Sequence, residues 1–585
     1  MADGASALTR SGARFPAPSW LPSWLRPRWR TGRGGRPERH GPIVRRRPSW
    51  GAVLGAWAGY SLSLTPSLLP RAWWLQGLCA AVSAAIGYAL GAAVQAVARR
   101  CGARPGPRTV RWAWWILGAV VLVGTVLVTA RSVHWQGEVR RAVALPPQLP
   151  WWQWVLVPLV AVAVGGLLVL LARSLRLGAR ALARVLRRVA PAPVAYAAGA
   201  ALVAVVVVGV VQGFLLSGVL SAIESGASLA DRGTSPGIVR PDLPTLSGSP
   251  VSYESWDSLG NQGRNFVGQA STRDELTRFA GRPAMDPVRV YVGLRSADTL
   301  PKRAALAVAE LERTGGFSRK VLAVMGTTGS GWINPQASAP LEYMYAGDSA
   351  EVGLQYSYLP SVASVLTEDE AAKAGAALFD AVRAKWLTLP AATRPKLVVF
   401  GESLGSYATE RAFDGDPSRL GTEADGALLV GPTFDNPLWL EVTRDREPGS
   451  PQWRPVVDRG ARFRFAQVPA DLGVPATPWP GPRTVYLQNG SDPIVWWSPG
   501  LLFHRPDWLD RPRAADVSPA MNWYPVLTFW QVACDLADAN GVPHGHGHRY
   551  GTMPTTAWAA IVPPPGWTSA DTERLAARLT GLGQG

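Results

Sequence analysis

The sequence predicts two structural classes in one chain. An N-terminal bundle of about five transmembrane helices comes first, followed by a mostly parallel α/β sheet with helices on both faces. Three observations carry this prediction. The chain has 585 residues, more than one ordinary domain. Between about residues 50 and 220, long stretches hold no charge. From about residue 250 the composition is that of a globular protein, with short apolar β-rich runs alternating with helical patterns.

Residues 1–47 are rich in Pro, Gly and Arg and are expected to be a disordered cytoplasmic leader. A spanning helix takes about 20 mostly apolar residues, because the hydrocarbon core is about 30 Å thick. Residues 50–69, 73–97, 112–130, 151–171 and 192–220 meet that requirement, although Pro66 and several Ser and Thr interrupt the first. Tryptophans gather at the span ends (Trp73, Trp74, Trp112, Trp114, Trp115, Trp151, Trp152, Trp154), where an indole meets the headgroup layer.

The formal net charge of +18 sits mainly in short Arg-rich segments. One precedes the first span. A second holds Arg99, Arg100, Arg104, Arg108 and Arg111, and a third runs from Arg173 to Arg188. The three alternate correctly when all face the cytoplasm, which takes five spans; without the first span, a cytoplasmic N-terminus would leave the C-terminal half inside. The chain is then a multi-pass protein of the plasma (inner) membrane, with its N-terminus cytoplasmic and its C-terminal half extracytoplasmic. Residues 172–189 carry Leu and Val between their arginines and are expected to lie on the inner surface as an amphipathic helix. Basic charge confined to the flanks of apolar runs argues against nucleic-acid binding. The three cysteines (Cys79, Cys101, Cys534) describe neither a disulfide framework nor a zinc set.

Residues 221–249, rich in Gly, Ser and Pro, read as a linker to a domain spanning 250–585. Its strands are expected at 288–292, 321–325, 396–400, 427–430 and 484–487, and helices at 302–313 and 368–386. The strands are near-continuously apolar, which suits a sheet buried on both faces.

One of these strands runs into Gly401-Glu402-Ser403-Leu404-Gly405. Gly-x-Ser-x-Gly between a strand and a helix is the nucleophile elbow of α/β-hydrolases. The serine sits on a tight turn where side chains at either glycine collide with backbone, and the Leu404 N–H faces the developing oxyanion. A structural turn is the bland alternative. The serine needs a base and the base an orienting acid, in the chain order Ser, Asp, His. Asp492 follows the strand 484–487 and a turn; a turn-forming Asp before Pro is its ordinary reading. Of six histidines, three crowd residues 542–551. His548 is the first choice of base, His546 the second and His544 the third. Thr327 and Thr328, in the glycine-rich loop after strand 321–325, are candidates for the second oxyanion N–H.

The segments SLTPSLLPR (63–71), SLGNQGRNFV (258–267), TTGSGW, YSYLPS (356–361), GESLGS, YLQNGSDPIVWW and GHGHRYG together resemble a family of bacterial membrane-associated α/β-hydrolases. The resemblance covers almost the whole chain except the leader. It implies a triad of Ser403, Asp492 and either His546 or His548, and it implies no substrate.

The leading expectation is an esterase or lipase-like serine hydrolase cleaving an acyl ester of a lipid or cell-envelope component, with the lipid bilayer as its partner. This chemistry needs no metal or organic cofactor. An acyltransferase with the same triad is the first alternative, and a non-catalytic membrane scaffold or sensor the second. Few ionisable residues lie within the spans, which disfavours an ion-coupled transporter. Trp496, Trp497, Phe503 and Trp508 are read as packing before an acyl pocket. Arg264 and Arg295 are read as solvated before anion-binding.

Overall fold

The computed structural model describes residues 48–103, 106–210, 225–359 and 368–581. The leader expected at 1–47 lies outside the described residues.

Among the described residues, five helices build the N-terminal half: α1 (Trp50–Ser63), α2 (Trp73–Arg100), α3 (Pro107–Ala142), α4 (Trp151–Leu186) and α5 (Ala192–Val210). Three of these, α2, α3 and α4, are long and apolar enough to cross a membrane. The first expected span is shorter than the sequence pattern implied. With 14 residues, α1 reaches about 21 Å at 1.5 Å per residue, less than the hydrocarbon core. It stops at Ser63 because Pro66 cannot continue it, and residues 64–71 turn away toward the C-terminal domain. The fifth is described as far as Val210; the rest of it, to residue 220, lies outside the described residues.

The expected in-plane helix at 172–189 is also different. Residues 172–186 continue α4, a single helix of 36 residues. No proline falls between Pro158 and the end of the helix at Leu186, so its turns run on past the apolar stretch.

The helices α1 and α2 are antiparallel. At one end the Gly51 N–H donates to Gln95 Oε1 (2.9 Å), and at the other Gln76 Nε2 donates to the Ser63 carbonyl (3.1 Å). Gly51, Gly55 and Gly59 face Gly91, Gly87 and Ser83 at backbone contact: a β-carbon at Gly55 would lie 2.1 Å from the Gly87 carbonyl oxygen. Small residues every fourth position let two helices approach this closely.

The C-terminal half is a seven-stranded, wholly parallel sheet of order β1-β3-β2-β4-β5-β7-β6. The strands are β1 (Val288–Val292), β2 (Val321–Gly326), β3 (Ser349–Leu354), β4 (Lys396–Glu402), β5 (Gly426–Val430), β6 (Phe463–Ala466) and β7 (Arg483–Leu487). Alternate residues feed two cores. Leu397, Val399, Ala427 and Leu429 pack on one face with α6 (Leu300–Arg313), α7 (Glu368–Leu387) and α8 (Leu404–Ala412). Val398, Phe400, Leu428 and Val430 pack on the other with Trp558. Period-two burial on both faces explains the unbroken apolar strands.

The stretch read as a linker is partly built into this domain. Leu246 pairs with Arg289 of β1, and Asp231 holds Arg295 (2.7 Å) and the Asn261 N–H (3.1 Å).

The two halves share a core. Leu68, Leu69 and Val143 are buried in the first sheet-face cluster. Residues 64–71 dock on helix α9 (Leu527–Asp535). The sheet domain therefore lies at the end of the bundle where α2 and α4 begin. The Arg-rich ends of α2 and α4, and the start of α3, lie at the other.

Candidate active site

The elbow follows from strand register. Glu402 at the end of β4 pairs with Val430 at the end of β5, and Val430 pairs with Leu487 at the end of β7. The loops after all three strands therefore open on the same carboxyl edge, where parallel sheets present their functional groups.

Ser403 stands between β4 and α8 with φ 55° and ψ −126°, a region that costs a non-glycine residue about 1–3 kcal/mol. Its N–H donates to the Val430 carbonyl (2.8 Å), and its surface is 7% exposed. The flanking glycines are sterically required. A β-carbon at Gly401 would lie 2.3 Å from the Gly405 carbonyl oxygen, and one at Gly405 would lie 2.4 Å from that of Gly326.

His548 Nδ1 bonds Asp492 Oδ2 at 2.7 Å, with both side chains buried. The same Asp492 oxygen accepts the Tyr550 hydroxyl (2.6 Å), while Asp492 Oδ1 caps the short turn Pro493–Trp496 through the Ile494 N–H (2.9 Å). The imidazole packs on Gly431, the residue after Val430: a β-carbon there would lie 2.5 Å from His548 Cε1. Ser403 and His548 thus stand beside adjacent residues, Val430 and Gly431, at the carboxyl end of β5.

The loop carrying His548 is held by the loop carrying Asp492. Asn489 Nδ2 donates to the Gly547 carbonyl, and the Gly547 N–H donates to Ser491 Oγ, both at 2.8 Å. Ser491 Oγ in turn donates to Asp516 Oδ2 (2.6 Å). His546 lies against Asp516 (3.8 Å) and His544 against Arg549 (3.3 Å), so neither is the partner of Asp492.

Burial by itself would lower the pKa of His548. The Asp492 charge and hydrogen bond, and then the Glu402 charge, outweigh it and hold the imidazole above its ordinary value. Glu402 is itself buried beside the serine, bonded by Asn334 Nδ2 (2.7 Å), and burial raises its carboxyl.

The two threonines differ. The Thr328 N–H is committed to the Trp332 carbonyl (3.1 Å), which removes Thr328 as an oxyanion donor. The Thr327 hydroxyl donates to the Leu354 carbonyl (2.8 Å). Among the described residues, neither the Thr327 N–H nor the Leu404 N–H at the head of α8 has an acceptor. Among the described residues, no three His, Cys, Asp or Glu side chains converge as a metal-ligand set.

Trp496 and Trp508 are core residues, Trp497 is half-buried, and Phe503 is 71% exposed. Arg264 is buried and donates to the carbonyls of Trp256, Arg232 and Gly233, and Arg295 pairs with Asp231. Neither arginine is simply solvated. Sequence reasoning missed Tyr550, Asn489, Ser491 and Glu402. All four lie within motifs already singled out, one to three residues from a triad candidate, but their roles rest on contacts across the fold.

No curated protein and no solved structure matches the chain. Two family models match consecutive regions: the N-terminal region of an alpha/beta-hydrolase family over residues 64–270, and the alpha/beta-hydrolase family itself over residues 288–575. The elbow, the parallel sheet and these two matches agree, and the chain is a member of that alpha/beta-hydrolase family.

Proposed function

We propose that the protein is a membrane-anchored serine hydrolase that cleaves an acyl ester, of a lipid or cell-envelope component, on the extracytoplasmic side of the plasma membrane. The observation that carries the chemistry is the buried Asp492–His548 pair at 2.7 Å, presented beside the strained elbow of Ser403. In this reading Ser403 Oγ attacks the ester carbonyl and His548 Nε2 takes its proton. Asp492 receives the Nδ1–H and stabilises the imidazolium that forms. The free N–H groups of Leu404 and Thr327 receive the tetrahedral oxyanion. His548 then returns the proton to the leaving alcohol, and a water attacks the acyl-enzyme by the reverse steps.

The placement is supported by the path of α1, whose start lies beside Gln95 near the Arg-rich end of α2 and whose end lies beside Gln76 near the sheet domain, and by charge. Arg99, Arg100, Arg108, Arg111 and the arginines of α4 gather at the end of the bundle remote from the sheet, the pattern of a cytoplasmic face.

The test is labelling of detergent-solubilised protein with a fluorophosphonate probe. Wild type and His546→Ala are expected to label, whereas Ser403→Ala and His548→Ala are not. Folded wild type that fails to label would overturn the serine-hydrolase reading. Loss in His546→Ala with retention in His548→Ala would transfer the base to His546.

A further inference from the structure

The contact between the two halves is centred on a buried ion pair. Arg71 Nε bonds Asp535 Oδ1 at 2.6 Å, with both side chains nearly inaccessible and 464 residues apart in the chain. Arg71 also reaches Gln76 Oε1 on α2 (3.1 Å) and the Gln531 carbonyl on α9 (2.9 Å). Asp535 Oδ2 accepts the Ser67 hydroxyl (2.5 Å) and the Leu68 N–H (3.1 Å). Gln76 and Gln531 thus mark the facing sides of α2 and α9. Helical periodicity places Cys79 one turn beyond Gln76, and Cys534 one turn beyond Gln531, on those same sides. The Ser63 carbonyl accepts from both Gln76 Nε2 (3.1 Å) and Gln531 Nε2 (3.4 Å), so the two helix sides meet there, and the thiols one turn on act on each other electrostatically. Cys79 is fully buried and Cys534 partly exposed. Two of the three cysteines in the chain therefore meet across the boundary between membrane helix and sheet domain.

We propose that Cys79 and Cys534 form a disulfide that staples α2 to α9. Its formation in the cell rests on the extracytoplasmic placement of the sheet domain, since disulfides persist outside the reducing cytosol. The oxidant is a disulfide, either a small molecule or a thiol–disulfide oxidoreductase. Cys534, the accessible thiol, loses its proton to water and attacks one oxidant sulfur, and the other leaves as a thiol. Cys79 then displaces the attached sulfur and closes the Cys79–Cys534 bond. Two protein thiols are oxidised and one oxidant disulfide is reduced to two thiols. Cys101, exposed in the arginine-rich turn at the opposite end of the bundle, takes no part.

The experiment counts free thiols. Purified full-length protein is reduced, exchanged into oxidised glutathione, denatured, blocked with N-ethylmaleimide and weighed intact. With three cysteines in the chain, reduced protein carries three adducts, and the stapled protein carries a single adduct or a single glutathione, on Cys101. A Cys79→Ser control has no pair to close. Wild type that keeps all its adducts, or that gains glutathione in place of the cross-link, overturns the proposal. The same count is made on protein blocked in intact cells before lysis. A single adduct there supports both the staple and the placement. A staple that closes in purified protein while the cellular protein stays fully reduced sustains the pair and overturns the extracytoplasmic placement.

Discussion

His548 is held between opposing influences, and the balance predicts a pH profile. Burial favours the neutral ring, but Asp492 and then Glu402 favour the imidazolium more, so the folded-state pKa lies above 6.5. A base must be neutral to accept the serine proton. Ester-hydrolysis kcat/KM is therefore expected to fall on the acid side with its midpoint above pH 6.5, the ordinary histidine value. The linkage has the same sign. Imidazolium formation stabilises the fold below the unfolded-state pKa, and that contribution is lost as pH rises through the folded-state value. Glu402→Gln removes one raising influence while keeping an acceptor for Asn334. Its acid limb is expected at lower pH than wild type, read from kcat/KM profiles of the two proteins. An unmoved limb would mean that Glu402 is uncharged while His548 titrates.

At the scale of elements, the glycine face of α1 explains how a helix of only 14 residues is held in the bundle. Backbone contact with α2 replaces the length that α1 lacks: Gly91, like Gly87, would place a β-carbon 2.1 Å from the facing carbonyl oxygen. Gly55→Leu is expected to push α1 away and destabilise the solubilised protein by about 1–3 kcal/mol, the usual scale of overpacking. The readout is the thermal transition in detergent. Gly118→Leu on α3 is the control, because a β-carbon there meets nothing within 4 Å. Equal transitions for the two variants would contradict the close α1–α2 contact. The strand β4 shows the complementary case, in which local sequence and element agree: VVFG runs straight from strand to elbow because Gly401 alone tolerates the Gly405 carbonyl at 2.3 Å.

Across the whole molecule, the halves behave as one body because a loop of the membrane half completes the core of the sheet domain. The pair Arg71–Asp535 is 1% and 0% exposed, so breaking it leaves a charge with no water. Arg71→Ala is expected to cost about 3–5 kcal/mol, seen as a large drop in the thermal transition. Arg71→Ala together with Asp535→Asn should recover part of that loss, because no uncompensated charge remains. A single variant as stable as wild type would show that the clasp does not form. The clasp also gives residues 63–71 a physical meaning: Pro66 ends α1, and Ser67, Leu68, Leu69 and Arg71 then meet α9 and the adjoining core.

The residues by themselves determined the membrane half, the parallel sheet, the elbow and the chain order Ser403, Asp492, His548. Those properties are written in local patterns: uncharged runs, apolar strands and a glycine-flanked serine. Only tertiary structure distinguishes His546 from His548, since both sit in the same Gly-His repeat and differ by which carboxylate each meets, Asp516 or Asp492. The same holds for Thr327 and Thr328, neighbours separated by a single backbone hydrogen bond to Trp332. It holds as well for Tyr550, whose hydroxyl finds Asp492 across 58 residues, and for the end of the first helix at Ser63, beyond which residues 64–71 dock on α9. Local propensity has a range of a few residues, whereas partner choice in a buried polar network depends on which distant groups the sheet register brings within hydrogen-bond reach.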